Sequence, residues 1–479
     1  MDLLNLEPKA IWKNFSALNS VPRPSKKEEK VIAFIKSFGE SLNLDTYVDK
    51  TGNVIIRKPA TPGMEDRKMI VLQSHLDMVC QKNNDTVFDF ETQGIEMYVD
   101  GDWVRAKGTT LGADNGLGVA TIMSILESND IPHPALEALF TIDEETGMTG
   151  AFGLEEGTLQ GEILLNLDTE EDDEIDIGCA GGVDVSAYHS YATQSFTGKA
   201  ICVSIKGLKG GHSGMDIIKG RGNANVLLSR FLFVGLSQQL QLLSIQSGGL
   251  RNAIPREGTA YFTVNNSAEY LKLAEVLKSE ILNEYKSIEK EININISEVE
   301  TEQNAISIED SASLIKSLKA AHNGVYRMSP DVEGLVEASN NIAKVVLDNG
   351  ELKILNLTRS SVESTKMEVA EQLRAAFELG GMRVKFTGSY PGWQPNPHSE
   401  IVEILENIYT RKFGDKPNVV ACHAGLECGL IGAHYPKMEM VSFGPTIKGA
   451  HSPEERASIA STQKFWSFLQ DILKEIPKK

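Results

Sequence analysis

A chain of 479 residues, 41% hydrophobic and 24% charged, is long enough for two or more domains and has the balance of an ordinary folded protein, not of a disordered or fibrous one. Its formal net charge of -19 opposes association with a phosphate backbone, which excludes nucleic acid as a partner. The opening MDLLNLEPKAIWKNFSAL lacks a basic segment followed by an apolar run, and no stretch reaches the about 18 uninterrupted apolar residues of a membrane span, so a cytoplasmic protein with no membrane partner is expected.

In chain order, residues 7–40 place Ile11, Phe15 and Leu18, then Val31, Phe34, Ile35 and Phe38, at helical spacing, broken by PRPS at 22–25. The runs MIVLQ (69–73), ALEALFTI (135–142), EILLNL (162–167) and MEMVSF (438–443) are short, apolar and end in polar or Gly-rich turns, as buried strands of an α/β sheet do. Each is followed by His, Asp or Glu, and ligands of open α/β sheets gather at the carboxyl ends of strands. From 183 to 390 the pattern changes to strands alternating with long amphipathic helices. Its first half reads as strand 201–208, helix 223–236, strand 258–264 and helix 268–285; its second as helix 311–322, strand 346–359, helix 366–380 and strand 383–388. This predicts an inserted α+β domain of two related halves, with 391–479 returning to the first domain (1–182).

Cys80, Cys179, Cys202, Cys422 and Cys428 are odd in number and contain no CxxC pair, so neither a disulfide framework nor a thiolate zinc site is indicated. A metal would have to be held by His and carboxylates. Candidates stand in SHLDMV (His75, Asp77), TLGADNGLG (Asp114), IDEETG (Glu144, Glu145), NLDTE (Asp168) and KGAHSPEE (His451), a donor set suited to zinc, with manganese or cobalt also able to serve. Taken singly each has an ordinary explanation. An HxD is more often structural, a carboxylate after a strand can cap a helix, and a Glu-Glu pair is usually a solvated face. Their joint order raises the weight.

With HLD (75–77), GADNG (112–116), DEETG (143–147), LNLDTE (165–170), GGHSG (210–214), RNAIPRE (251–257), TRSS (358–361), HAGLECG (423–429) and AHSPEE (450–455), the chain resembles the aminoacylase and carboxypeptidase-like family of co-catalytic zinc peptidases, most closely its bacterial aminoacyl-histidine dipeptidase branch. The resemblance implies an α/β fold of two domains, a mixed-sheet catalytic domain interrupted by an α+β lid. It implies that Asp114 bridges two zinc ions, with His75 and Asp168 on one and Glu145 and His451 on the other. Asp77 would accept the remaining ring N–H of His75 and fix its tautomer, and Glu144 would serve as general base toward water. His212 would face the tetrahedral oxygen, and Asn252 and Arg359 would hold the substrate's terminal carboxylate. Asp at 168 favours a substrate with an unblocked amino terminus, and the branch implies Xaa-His dipeptides, β-alanyl ones included. A homodimer through the lid, in which His212 could serve the partner's site, is implied as well.

Three other readings stay open at this point: an aminoacylase or tripeptidase on the same scaffold, a glycosidase using Glu144 with another carboxylate, which would leave the matching His positions unexplained, and a non-catalytic metal-binding protein. Retention of Glu144 and of every expected ligand speaks against the last. HAGLECG has no role derivable from its residues.

Overall fold

The four apolar runs are neighbours in one sheet. Ile70–His75 lies between Leu136–Thr141 and Ile163–Asn166, parallel to both, and Glu439–Ser442 runs parallel to Ile163–Asn166. Every residue of the first three strands is buried, which is why they read as continuous apolar runs and not as alternating ones. Antiparallel strands Val54–Lys58 and Asp45–Val48 extend one side and Glu174–Cys179 and Asn418–Cys422 the other, giving a mixed sheet of eight. The helical stretch expected at its start forms as Lys9–Asn19 and Glu29–Ser41, parted at PRPS.

This computed structural model describes residues 3–479 and divides into two units. The first holds the chain up to Gly178 with Pro395–Ala421 and Leu426–Lys479; the second holds Cys179–Gln394 with Cys422–Gly425. In the first unit, helix Ala113–Glu127 packs on Ile70–His75 and on Lys9–Asn19. A small sheet pairs Met97–Asp100 with Trp103–Ala106, then Arg456–Ser458, then Ile447–Lys448. That pairing draws the loop carrying His451 to the segment that leads into Ala113–Glu127.

The second unit is built on an antiparallel sheet in the order Asn293–Ile306, Thr193–Lys206, Gly258–Thr263, Gln241–Gly248, Val336–Asp348, Glu351–Ser360, Gly181–Ser190, Arg383–Tyr390. Helices Ala224–Gly235, Ser267–Tyr285, Ile308–Ala320 and Glu363–Glu378 share one apolar core with it, through residues such as Phe231, Tyr270, Leu314 and Phe377. The run 346–359, read from sequence as a single strand, is a hairpin. Asn349 and Gly350 take φ of 48° and 82°, the paired left-handed residues of a tight type I′ turn. The edge strand Asn293–Ile306 escaped the sequence reading because its middle, SEVETEQ, is mostly charged and polar, with Glu298, Glu300 and Glu302 exposed.

The expected domain limits of 182/183 and 390/391 fall a few residues from the observed divisions, and residues 422–425 lie in the second unit, not in the first. The reason is local pairing: Ala180 N–H donates to the carbonyls of Cys422 and Ala424. Among the described residues the cysteines form no disulfide, and no helix is long and apolar enough to cross a membrane.

Candidate metal centre

His75 ends its strand, and its Nε2 lies 3.1 Å from Asp114 Oδ1 and 3.5 Å from Asp168 Oδ1. His451 Nε2 lies 3.2 Å from Asp114 Oδ2 and 3.1 Å from Glu145 Oε2. One carboxylate therefore turns its two oxygens to two imidazoles, each of which faces a further carboxylate, and ligand atoms of His75, Asp114 and Glu145 all lie within 4.8 Å of one another. Nitrogen and oxygen donors converging in this way are what a pair of zinc-type cations takes up.

The corner that carries Asp114 is held from both sides. Gly112 sits in the left-handed region at φ 68°, and a Cβ there would come within 2.5 Å of Arg23 Nη2. The carboxylate of Glu455 accepts the N–H groups of Leu111 (2.7 Å), Gly112 (2.9 Å), Ala113 (2.7 Å) and Asp114 (3.3 Å), satisfying donors that a helix start leaves unpaired. Buried Arg23 donates to the carbonyls of Leu76 (3.1 Å), Asp77 (3.2 Å) and Gly112 (2.6 Å), which ties the HLD turn to the GADNG turn.

Asp77 does more than face a ring. Its Oδ1 lies 3.4 Å from His75 Nδ1, and its carboxylate also accepts the N–H of Glu144 (3.0 Å), the N–H of Glu145 (3.2 Å) and the Ser25 hydroxyl (2.7 Å). One buried carboxylate thereby seats the DEETG turn and orients the imidazole. Burial pushes the Asp77 carboxyl up, but hydrogen bonds led by that from His75 outweigh it and hold it below the ordinary range.

Negative charge dominates the centre. Burial works against ionised Asp114, yet hydrogen bonds from His451 and His75 hold its carboxyl well below the ordinary range. Burial pushes Glu144 well above it, with Asp168, Glu427 and Glu145 adding to the rise. Burial also raises Asp168 to about 6 and Glu170 to about 8. Among the described residues, buried Glu145 Oε1 has no hydrogen-bond partner and buried Asp168 Oδ1 has only the His75 ring at 3.5 Å, an arrangement that costs stability unless a cation meets it. The residues present fit a dinuclear metal group.

In the second unit, His212 Nδ1 accepts the N–H groups of Gly214 (3.3 Å) and Met215 (3.2 Å), which places the ring proton on Nε2. His212 pairs with Ala253 in a two-residue ladder, and just beyond it the carbonyl of exposed Asn252 accepts Ser213 N–H at 2.8 Å. Arg359 is buried; its Nη1 donates to the Tyr390 hydroxyl at 3.0 Å and its Nε has no partner among the described residues. Its cross-strand neighbours are Ser339 and Gly182, and a Cβ on Gly182 would come within 2.7 Å of the Tyr390 hydroxyl oxygen. Ser339 Oγ meets His423 Nε2 at 2.8 Å, and burial, with Arg359 and His212 adding, pushes His423 down to about 3.

The HAGLECG segment is thus divided. His423 belongs to the second unit and Glu427 to the first. Arg23, Glu455 and Glu170 were missed in the sequence. PRPS reads as a helix break, and in AHSPEE and NLDTE the neighbouring His451 and Asp168 draw the attention.

A family model described as Peptidase family M20/M25/M40 matches residues 71–475. The chain is 43% identical over 484 residues to the cytosol non-specific dipeptidase of Escherichia coli K12, covering 100% of both chains. Its structure superposes on that of an aminoacylhistidine dipeptidase from Vibrio alginolyticus with a TM-score of 0.95 and 44% identity, covering 100% of this chain and 99% of the other. Aminopeptidase PepT from Bacillus cereus is similar in fold alone, with a TM-score of 0.62 at 16% identity over 98% of this chain and 99% of the other.

Proposed function

Since this chain belongs to peptidase family M20/M25/M40, we propose that it is a dipeptidase that carries two zinc ions in its first unit and hydrolyses unblocked dipeptides, Xaa-His among them. The observation that carries the reading is Asp114, each of whose oxygens faces its own imidazole, with a further carboxylate against each ring. In this reading His75 and Asp168 would hold one ion, Glu145 and His451 the other, and Asp114 would serve both; manganese or cobalt suits the same donors. Such a pair, when bound, polarises the scissile carbonyl and acidifies water.

The chain's own residues do the rest. Glu144, whose backbone N–H is anchored on Asp77, takes a proton from the attacking water as the new C–O bond forms. It returns that proton to the amine nitrogen as the C–N bond breaks. Asp77 keeps the His75 ring proton on Nδ1 and leaves Nε2 as the donor atom. Arg359 is buried, with its Nη1 on a hydroxyl and its Nε unpartnered among the described residues, which leaves capacity for a carboxylate and supports binding of the substrate's C-terminus with Asn252 as a second donor. The Nε2–H of His212 is a donor suited to a developing oxyanion.

The names of the two closely similar proteins both describe dipeptide cleavage, one of them non-specific and one directed to aminoacylhistidine. A cytosolic location agrees with the name of the Escherichia coli relative. A homodimer through the second unit belongs to the same reading. The test is a panel of dipeptides, a tripeptide and an N-acetylated amino acid, run on zinc-loaded and on chelated protein. Dipeptide cleavage that chelation abolishes is expected; preferential cleavage of the N-acetylated compound would make the protein an acylase.

A further inference from the structure

Beneath the proposed ligands a line of buried polar side chains crosses four neighbouring strands of the first unit's sheet. Asp176 Oδ2 lies 2.8 Å from Thr169 Oγ1, which lies 2.8 Å from Ser442 Oγ. The Ser442 hydroxyl donates to Asn166 Oδ1, Asn166 Nδ2 donates to Gln73 Oε1, and Gln73 Nε2 donates to Glu427 Oε2 at 2.7 Å. Thr141 donates to the same Glu427 oxygen at 2.6 Å. All of these residues are buried.

The protons along this line can be counted. Three links join oxygen to oxygen: Asp176 to Thr169, Thr169 to Ser442, and Ser442 to Asn166. Two hydroxyls supply only two protons. Asn166 Oδ1 can only accept, so the Ser442 proton is committed to it, and the Thr169 proton must then go to Ser442. The third link stays empty unless the carboxyl itself brings a proton. We infer that Asp176 is a neutral carboxylic acid donating to Thr169, and that it is a positioning residue, the head of a one-way hydrogen-bond chain that ends on ionised Glu427.

The chain reaches the metal centre at two points, since Thr169 follows Asp168 and Gln73 precedes His75 by two residues. Burial agrees with the proton count. It pushes Asp176 up to about 7, and Glu174 on its own strand and Asp168 beyond the neighbouring strand, the charged groups that face it, add to the rise. Burial also raises Glu427 to about 7, and the same chain with both amides turned over would carry the proton there. Thr141, which donates to the same Glu427 oxygen whichever way the amides lie, favours the ionised form at that end.

The test uses the full zinc-loaded chain. In Asp176→Asn the amide N–H takes over the donation to Thr169. Wild type holds in its folded state a proton that an unfolded Asp releases at about pH 4. Its unfolding equilibrium should therefore shift against it, relative to Asp176→Asn, by about tenfold per pH unit from about 4 up to about 7 and no further above. In carboxyl-labelled protein one protonated-carboxyl infrared band should be lost in Asp176→Asn and persist in Glu427→Gln. A stability difference that is flat across that window, or a band that disappears only in Glu427→Gln, overturns the assignment. Thr169→Val, which cuts the chain, should weaken zinc retention about tenfold or more; unchanged retention overturns the positioning role. The inference leans on the proposed ligand roles only in that last readout, and none of the readouts uses peptide hydrolysis, so its failure and that of the dipeptidase reading are told apart.

Discussion

His451 and Asp114 stand 337 positions apart in the chain, yet Nε2 of the one lies 3.2 Å from Oδ2 of the other. The short strands Ile447–Lys448 and Arg456–Ser458 flank the histidine, and Glu455 in the same loop takes up the N–H groups around Asp114. A single loop thus supplies an imidazole and fixes the residue that this imidazole faces.

Glu455→Ala leaves those N–H groups without their acceptor. Stability should fall by about 1–3 kcal/mol and metal retention should drop with it, although Glu455 faces backbone and is no expected ligand. Denaturant titration together with metal analysis checks this; full metal content in a stable variant would refute the brace.

Elemental analysis of wild type should find two zinc-type ions per chain, with activity lost to chelators. Asp114→Ala removes the donor shared by both pairs and should empty the centre, whereas His451→Ala should leave one ion behind. A single ion in fully active wild type would end the dinuclear reading.

Glu144→Gln keeps the shape of the side chain but cannot accept the proton from water. Turnover should fall by roughly 10²–10⁴-fold while metal content stays the same. Near-normal turnover, or loss of metal, would mean that Glu144 and Glu145 do not divide base and ligand between them.

If Arg359 receives the substrate's carboxylate, Arg359→Ala should lower kcat as well as raise KM, by a combined ~2–4 kcal/mol in transition-state stabilisation. A dipeptide amide should show the same loss on wild type, and a tripeptide should be a poor substrate. Equal rates on dipeptide, amide and tripeptide would favour a general aminopeptidase.

His423 provides a pH test in the second unit. Burial, with Arg359 and His212, holds it near 3, against about 6.5 for an unfolded His. As pH falls from about 6.5 towards 3, the unfolded chain takes up a proton that the folded chain refuses, so stability is lost at about 1.4 kcal/mol per pH unit. Relative to wild type, His423→Asn should gain stability at pH 5 over pH 7; parallel pH profiles for the two proteins would show that the ring is not held neutral.

Much of this was legible in the chain itself. The buried strands announce themselves as apolar runs because both faces of the sheet are covered, and His75, Asp114, Glu145, Asp168 and His451 stand in short motifs whose order carries the family likeness. Periodicity and motif are properties of adjacent residues, so one sequence is enough to read them. The tertiary structure alone decided which oxygen of Asp114 faces which imidazole, that Asp77 seats the Glu144 turn, that Arg23 and Glu455 brace Asp114, and that His423 and Glu427 part into different units. These contacts join groups far apart along the chain, and they follow from strand order and register, which no local propensity encodes.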